Sequence, residues 1–284
     1  MKPDPSDPTV LGVSAAAVAS NGADRGRRKR GDRTWLISLA TLLVLLGLWS
    51  LSASLALVPP VFLPSPLAVL NKFYTVATTG FADATLWAHL GASLTRVFAA
   101  LMVSVAVGLP VGLAIGLSPI GRGIFDPLLE FLRPIPPLAY LPLIVIWFGI
   151  GEGSKVIVIA IAMLAPVALS TAAGVKSAGR DKINAARALG ATRAQVVRHV
   201  VVPSALPTIL TGLRIALGAG WTTLVAAELI AATEGLGFMI QSAAQFLVTD
   251  VVIMGILVIA AVAFAIEFVL RRLERRYVPW SGRE

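Results

Sequence analysis

Cysteine is absent from all 284 residues. Disulfides, thiol nucleophiles and thiolate-bound zinc or iron–sulfur centres are therefore excluded. Histidine is nearly absent. His89 and His199 stand far apart with no acidic motif around either, which argues against a zinc or di-iron centre. Charge is scarce too: 14% of residues are Asp, Glu, Lys or Arg, against roughly a quarter in soluble proteins. The dipeptide Gly-Lys occurs nowhere, and the nearest approach is Gly153-Ser154-Lys155. A Walker A loop needs Gly-Lys so that backbone amides and an ammonium can cradle phosphates, so the chain carries no such loop. Nothing pairs a nucleophile with a base, and the expectation is a protein without enzyme chemistry or a cofactor of its own.

What is present is apolar. Hydrophobic residues make up 57% of the chain, and the mean hydropathy is +0.84. Glycine shows no three-residue period, and the apolar content excludes disorder. Six runs are long enough to cross a hydrocarbon core of about 30 Å at ~1.5 Å per residue. They fall at about 35–57, 95–117, 128–149, 156–175, 207–232 and 251–270. The fold class is all-α: a polytopic membrane protein with one transmembrane domain over 35–270. Residues 1–34 read as a disordered basic tail and 271–284 as a C-terminal tail. The first run has 23 uncharged residues, Trp35 to Leu57, more than the roughly 7–15 of a secretory signal, and should be retained as a span. Between the first two spans, Pro59, Pro60, Pro64 and Pro66 precede an amphipathic stretch at Leu67 to Val76, read as an external loop with an interfacial helix.

The net charge of +9 has two readings. A basic soluble protein would suggest nucleic acid, whereas in a membrane protein Lys and Arg gather in cytoplasmic loops. With six crossings, one side holds the N-terminus, loop 118–127, loop 176–206 and the C-terminal tail. That side carries 19 Lys and Arg; the opposite loops carry 2, Lys72 and Lys155. Arg96, Arg133 and Arg214 remain inside spans or at their ends. The asymmetry places both termini in the cytoplasm and accounts for the charge without nucleic acid.

The longest cytoplasmic connection is residues 176–206. Asp181 to Leu189 predicts a short helix broken by Gly190, and Arg193 to Val201 predicts a second that ends before Pro203. Ala185, Ala186 and Gly190 are small enough for a close backbone approach by a partner. Ile183, Leu189, Val196, Val197 and Val200 supply apolar faces, while Arg187, Arg193 and Arg198 stay wet. Physically this is a docking element.

The spacing of Ala185-Ala186, Gly190, Val200 and Val202-Pro203 resembles the "EAA" loop of permease subunits of bacterial ABC importers. Asn184 stands where that pattern has Glu, which removes any ion pair from this position but leaves apolar docking intact. The resemblance covers roughly residues 60 to 280. Arg133-Pro134-Ile135-Pro136-Pro137-Leu138-Ala139-Tyr140-Leu141-Pro142 and Trp147-Phe148-Gly149-Ile150-Gly151-Glu152 are similar to the nitrate/sulfonate/taurine branch. The segments 84–90, 226–233, 235–239 and 249–252 are most similar to taurine permeases within it.

The resemblance implies a type I ABC importer permease fold in the bacterial inner membrane. It also implies the partners: a second copy forming the pore, a cytoplasmic ATPase that binds ATP, a periplasmic substrate-binding protein, and surrounding lipid. Ala185, Ala186, Leu189, Gly190, Val197, Val200 and Pro203 would dock the ATPase. ATP binding would open the pore outward and hydrolysis would reset it. Taurine or a related sulfonate is the implied solute, with nitrate or aliphatic sulfonates as the alternative. An ion-coupled secondary transporter is the rival class, but it would need repeated halves and more ionisable residues at mid-membrane.

Five residues stand out in or beside the spans. Glu228 is a carboxylate in an apolar run, costly and hence a candidate pathway residue; a structural hydrogen bond to the segment 233–250 is the equal alternative. Trp221, on the same run, is a second candidate pathway residue. Gly235 and Gly237 predict a turn that re-enters the external face, where a gate would flex. Arg214 is expected to snorkel to the cytoplasmic surface rather than to touch substrate. The Pro-rich run 133–142 should break a helix, which lipid tolerates only where backbone is buried or lines a cavity.

Overall fold

The computed structural model describes residues 35–278, so the expected tail 1–34 and the last six residues of the expected C-terminal tail lie outside the described residues. All regular elements among the described residues are helical. The chain divides at Leu67 into two compact units. In the first, α1 (Trp35–Ser54) is an apolar helix of spanning length, and the Trp49 indole donates to the Pro64 carbonyl at 3.0 Å.

The second unit begins within the amphipathic helix α2 (Pro66–Thr78). It is built on α3 (Leu86–Leu117), α6 (Glu152–Ser177) and α9 (Val202–Ala231). Where these meet, Val97, Ala100, Ile159, Met163, Leu217 and Leu224 form the main core. Lipid is as apolar as these side chains, so close backbone approach drives the packing. Gly108, Gly112 and Gly116 lie along one face of α3, against Val167, Thr171 and Val175 of α6. A Cβ on Gly108 would already sit 2.9 Å from Val167 Cγ1.

Helix α3 has 32 residues and α6 has 26, so each outruns the expected spans 95–117 and 156–175. Those spans stopped at Arg96 and Lys155, yet both side chains are buried in the structure. The expected loop 118–127 is helical: α4 (Pro119–Leu132) starts directly after α3, capped by Ser118.

The third expected span, 128–149, is not one straight helix. It is a pair, α4 and the Pro137–Phe148 segment that ends in α5 (Leu141–Phe148), bent by 92°. Pro134, Pro136 and Pro137 remove three amide donors in four residues, so no helix can run through. Counting the bent pair as one crossing gives six candidate spans.

In the long connection, α7 (Arg180–Ala188) ends at a turn with Gly190 at φ +84°. That left-handed conformation favours glycine. The second short helix does not end before Pro203. Helix α8 (Arg193–Val196) runs through a π-turn, Val197–Val201, straight into α9. The Val202 amide reaches the Val197 carbonyl five residues back, and Pro203 sits in the first turn of α9, directly after the π-turn. The fifth expected span, 207–232, is thus the far part of one apolar helical stretch, Arg193–Ile230. Helix α10 (Leu236–Gln245) follows, and α11 (Thr249–Tyr277) carries the last expected span, 251–270, on into the basic residues Arg271 to Arg276.

Candidate functional site

Two of the charges inside the spans, Arg96 and Glu228, meet at the α10 end of the bundle. Arg96 of α3 is held from three directions. Its Nη1 donates to Glu228 Oε1 at 2.6 Å and to the Glu234 carbonyl at 2.7 Å. Its Nε and Nη2 make a bidentate pair with Glu152, at 2.5 and 2.8 Å. Lys155, one turn along α6, donates to the same Glu152 at 2.7 Å. The cluster holds two cations and two carboxylates, so a membrane-embedded site carries no net charge.

Glu228 has no solvent exposure, and its two oxygens are fully engaged. Ser93 donates to both, at 2.8 and 3.1 Å. The Gly237 amide donates to Oε2 at 2.8 Å. Ser93 in turn accepts from the Leu236 amide at 2.9 Å, and His89 Nδ1 accepts from the Gly235 amide at 3.1 Å. The imidazole therefore carries its proton on Nε2, which donates to the Phe81 carbonyl at 2.9 Å. Three consecutive amides at the start of α10 are thus satisfied by side chains, with a carboxylate at the positive end of the helix dipole.

This geometry explains both glycines. Gly235 has φ +130°, and a Cβ there would press on the Glu228 carboxyl and lie 2.6 Å from Arg96 Nη1. A Cβ on Gly237 would lie 2.7 Å from the Val225 carbonyl. Of the two readings for Glu228, these contacts match the hydrogen bond to the segment after α9. Sequence reasoning missed Ser93 and Arg96 as its partners, and Glu152 and Lys155 as the further members of the cluster around Arg96. The available signal was that buried charges must come in opposite pairs, and Glu228 needed a cation.

The docking residues lie at the opposite end. Leu189 is 90% exposed, an apolar side chain standing out beside Gly190. A cavity of about 330 Å³ opens next to it, lined by Ala186, Leu189, Gly190, Ala191, Gln195, His199 and Val200. Ala185 is exposed, while Val197 and Pro203 are half-buried. Ala186 and Val200 pack against Val175, Val196, Val201 and Ala205, so they also hold the connection onto the bundle.

Arg214 is paired, with its side chain about a quarter exposed. Its guanidinium is engaged laterally by α11, with Nε on Glu267 Oε1 at 3.1 Å, Nη2 on the same oxygen and Nη1 on Glu274 Oε2 at 3.2 Å. Glu267, Arg271 and Glu274 recur at helical spacing and share a face, which brings the carboxylates to the arginine.

A cavity of about 560 Å³ lies along α6 and α9 beneath the bent pair. The Pro-rich run lines it through Arg133, Ile135, Pro137 and Tyr140, and α9 contributes Thr208, Ile215, Ala219, Thr222 and Thr223. Trp221 and Glu228 do not line it. Trp221 is buried in the main core, and its indole nitrogen has no partner.

Residues 104–279 match the family of binding-protein-dependent transport system inner membrane components. The chain is 61% identical over 252 residues to the taurine transport system permease protein TauC of Escherichia coli (strain K12), covering 88% of this chain and 92% of that protein. It is 36% identical over 252 residues to the putative aliphatic sulfonates transport permease protein SsuC of the same strain, covering 88% and 94%. Among solved structures, an inward-facing MetNI methionine ABC transporter matches with a TM-score of 0.61 at 22% identity, over 68% of this chain and 97% of that one. At that identity the likeness concerns the fold.

Proposed function

The chain belongs to the family of binding-protein-dependent transport system inner membrane components, and from that premise we propose that it passes taurine, or a related sulfonate, across the membrane. It is a transmembrane permease subunit of an ATP-driven ABC importer, a transport subunit that works with an ATPase and a substrate-binding protein. The observation that carries the substrate reading is the 61% identity to a taurine permease, against 36% to an aliphatic sulfonate permease over the same length.

In this reading the α7 end faces the cytoplasm with both termini, as the distribution of Lys and Arg supports. The exposed Leu189 and the adjoining cavity receive the ATPase, and ATP is bound there rather than on this chain. Two copies form the pore within the lipid bilayer. The binding protein delivers solute at the α10 end, where the Arg96–Glu228 cluster fixes the ends of α3, α6 and α9 to α10.

The test is growth on taurine as sole sulfur source. A strain lacking its own taurine permease, given this chain with its cognate ATPase and binding protein, should grow. Growth on nitrate as nitrogen source without growth on taurine would overturn the substrate and leave the importer class standing.

A further inference from the structure

The large cavity under the bent pair has an unusual polar inventory. It is apolar over most of its wall, and its volume falls within the roughly 300–1,000 Å³ common for small-molecule sites. One charged side chain lines it, Arg133. Three cations packed within the bundle are paired, Arg96 and Lys155 with Glu152 and Arg214 with Glu267. Arg133 makes no side-chain hydrogen bond or ion pair within the described chain. No carboxylate lines the cavity.

Arg133 follows α4 at the break made by three prolines. Its side chain is exposed, so the guanidinium is open to a ligand entering the cavity.

Of the five hydroxyls that line the cavity, those of Thr222 and Thr223 donate to the Ala219 carbonyl, and three are free. The Tyr140 hydroxyl is buried and has no hydrogen-bond partner, and Ser170 and Thr208 make none within the described chain. The packing orders them along the bundle. Tyr140 sits with Ile157 and Ile161, toward the Glu152 end of α6. Leu129, one turn before Arg133, sits with Ala168 and Ala172, and Ser170 lies against α9 at Gly212. A ligand moving along α6 meets a hydroxyl, then the guanidinium, then two more hydroxyls.

We infer that this cavity is an anion-reading subsite of the permease, in which Arg133, with the hydroxyls of Tyr140, Ser170 and Thr208, recognises the sulfonate end of the solute and ignores its amine. The inference rests on the proposed sulfonate function and adds the residues that read the headgroup. A guanidinium presents a planar fork of donors suited to a multi-oxygen anion, and hydroxyls complete the coordination without fixed charge. With no carboxylate in the wall, an ammonium gains nothing. Sulfonates lacking the amine should therefore pass the pore as readily as taurine once delivered.

The cysteine-free chain offers a direct test. Thr222→Cys places one thiol on the cavity wall of the full transporter assembled with its ATPase and binding protein. Labelling is compared for two methanethiosulfonates, 2-sulfonatoethyl and 2-(trimethylammonio)ethyl, each normalised to its rate with 2-mercaptoethanol. One unpaired cation across the cavity should favour the sulfonatoethyl reagent by about five- to tenfold. Adding Arg133→Gln should bring the ratio to about one, while Arg133→Lys should keep most of the preference. Ethanesulfonate should slow labelling in the Arg133 protein and not in Arg133→Gln.

A ratio that Arg133→Gln leaves unchanged overturns the subsite. So does a ratio at or below one in the Thr222→Cys protein itself, which settles the matter even if the Arg133 variants fail to assemble. Failure of the parent complex to import any sulfonate strikes the functional reading instead, and the labelling ratio reports on the cavity independently of it.

Discussion

Replacing Arg96 with methionine would remove the centre of the four-helix cluster while keeping a long, flexible side chain in the core of α3. In Arg96→Met, Glu228 stays fully buried with Ser93 and the Gly237 amide but without its cation. Stripping one partner from a buried pair costs roughly 3–5 kcal/mol, because the remaining charge is left in a medium that cannot solvate it. For a chain of this size each kcal/mol moves the midpoint by about 2–4 °C, so the unfolding temperature should fall by about 10 °C. Glu228→Gln is milder. The carboxamide offers one oxygen to three donors, Ser93, Arg96 and the Gly237 amide, and turns an N–H toward one of them, while Arg96 keeps Glu152 as its counter-charge, a loss of about 1–3 kcal/mol.

The double variant decides the argument. With both charges gone the uncompensated carboxylate disappears, so Arg96→Met with Glu228→Gln should lose less than the two single losses together, by about 1–3 kcal/mol. The assay is thermal unfolding of the purified transporter in detergent, followed by loss of the monodisperse peak in gel filtration. Strict additivity of the two losses would show that the pair is not coupled and would refute the reasoning. Variants that remain assembled should keep their order of preference among sulfonates, since neither residue lines the large cavity. A changed order would move Glu228 back onto the pathway.

Three shorter predictions follow the same geometry. Leu189→Asp, at a side chain 90% exposed, should leave insertion and thermal stability unchanged but lower the amount of ATPase that co-purifies by tenfold or so, since a charge now faces an apolar docking site; undiminished co-purification would remove Leu189 from the interface. Gly112→Val should fail to accumulate as a folded protein, because its Cβ would collide with the Ala168 carbonyl and Thr171 of α6, whereas Gly123→Ala, where nothing lies within 4 Å, should behave as the parent in the same membrane-fraction blot. Reporter fusions at Gly235 and after Tyr277 should report opposite sides of the membrane, and a shared side would remove the last crossing.

The amino-acid sequence by itself determined the class of molecule and the amphipathic helix near Leu67 to Val76, and its six apolar runs correspond to five candidate spans, or six when the bent pair counts as one. Each is a sum over neighbouring residues: transfer free energy accumulates along a run, and loop charge accumulates on one side, so no knowledge of contacts is needed. The break at Gly190 was equally local, since its positive φ is a property of one residue in one turn. The prolines of 133–142 announced a broken helix, though not the right angle that makes a cavity under it.

Only the tertiary structure decided what the charges do. Arg96 and Lys155 marked span ends in the sequence because an isolated charge in lipid is prohibitive; folding buries them by bringing Glu152 and Glu228 from residues 56 and 132 positions away from Arg96. Trp221 and Glu228 were candidates for the pathway because α9 is apolar on every side and its sequence does not reveal which face it turns to the cavity. Helix rotation set by glycine contacts turns Thr222 and Thr223 to the cavity and Trp221 to the core. Arg214 had water within reach of its long side chain, and α11, packed beside it, supplied the carboxylates that pair with it. Facing and pairing depend on which helices meet, and that is settled by packing across the whole chain rather than by any run within it.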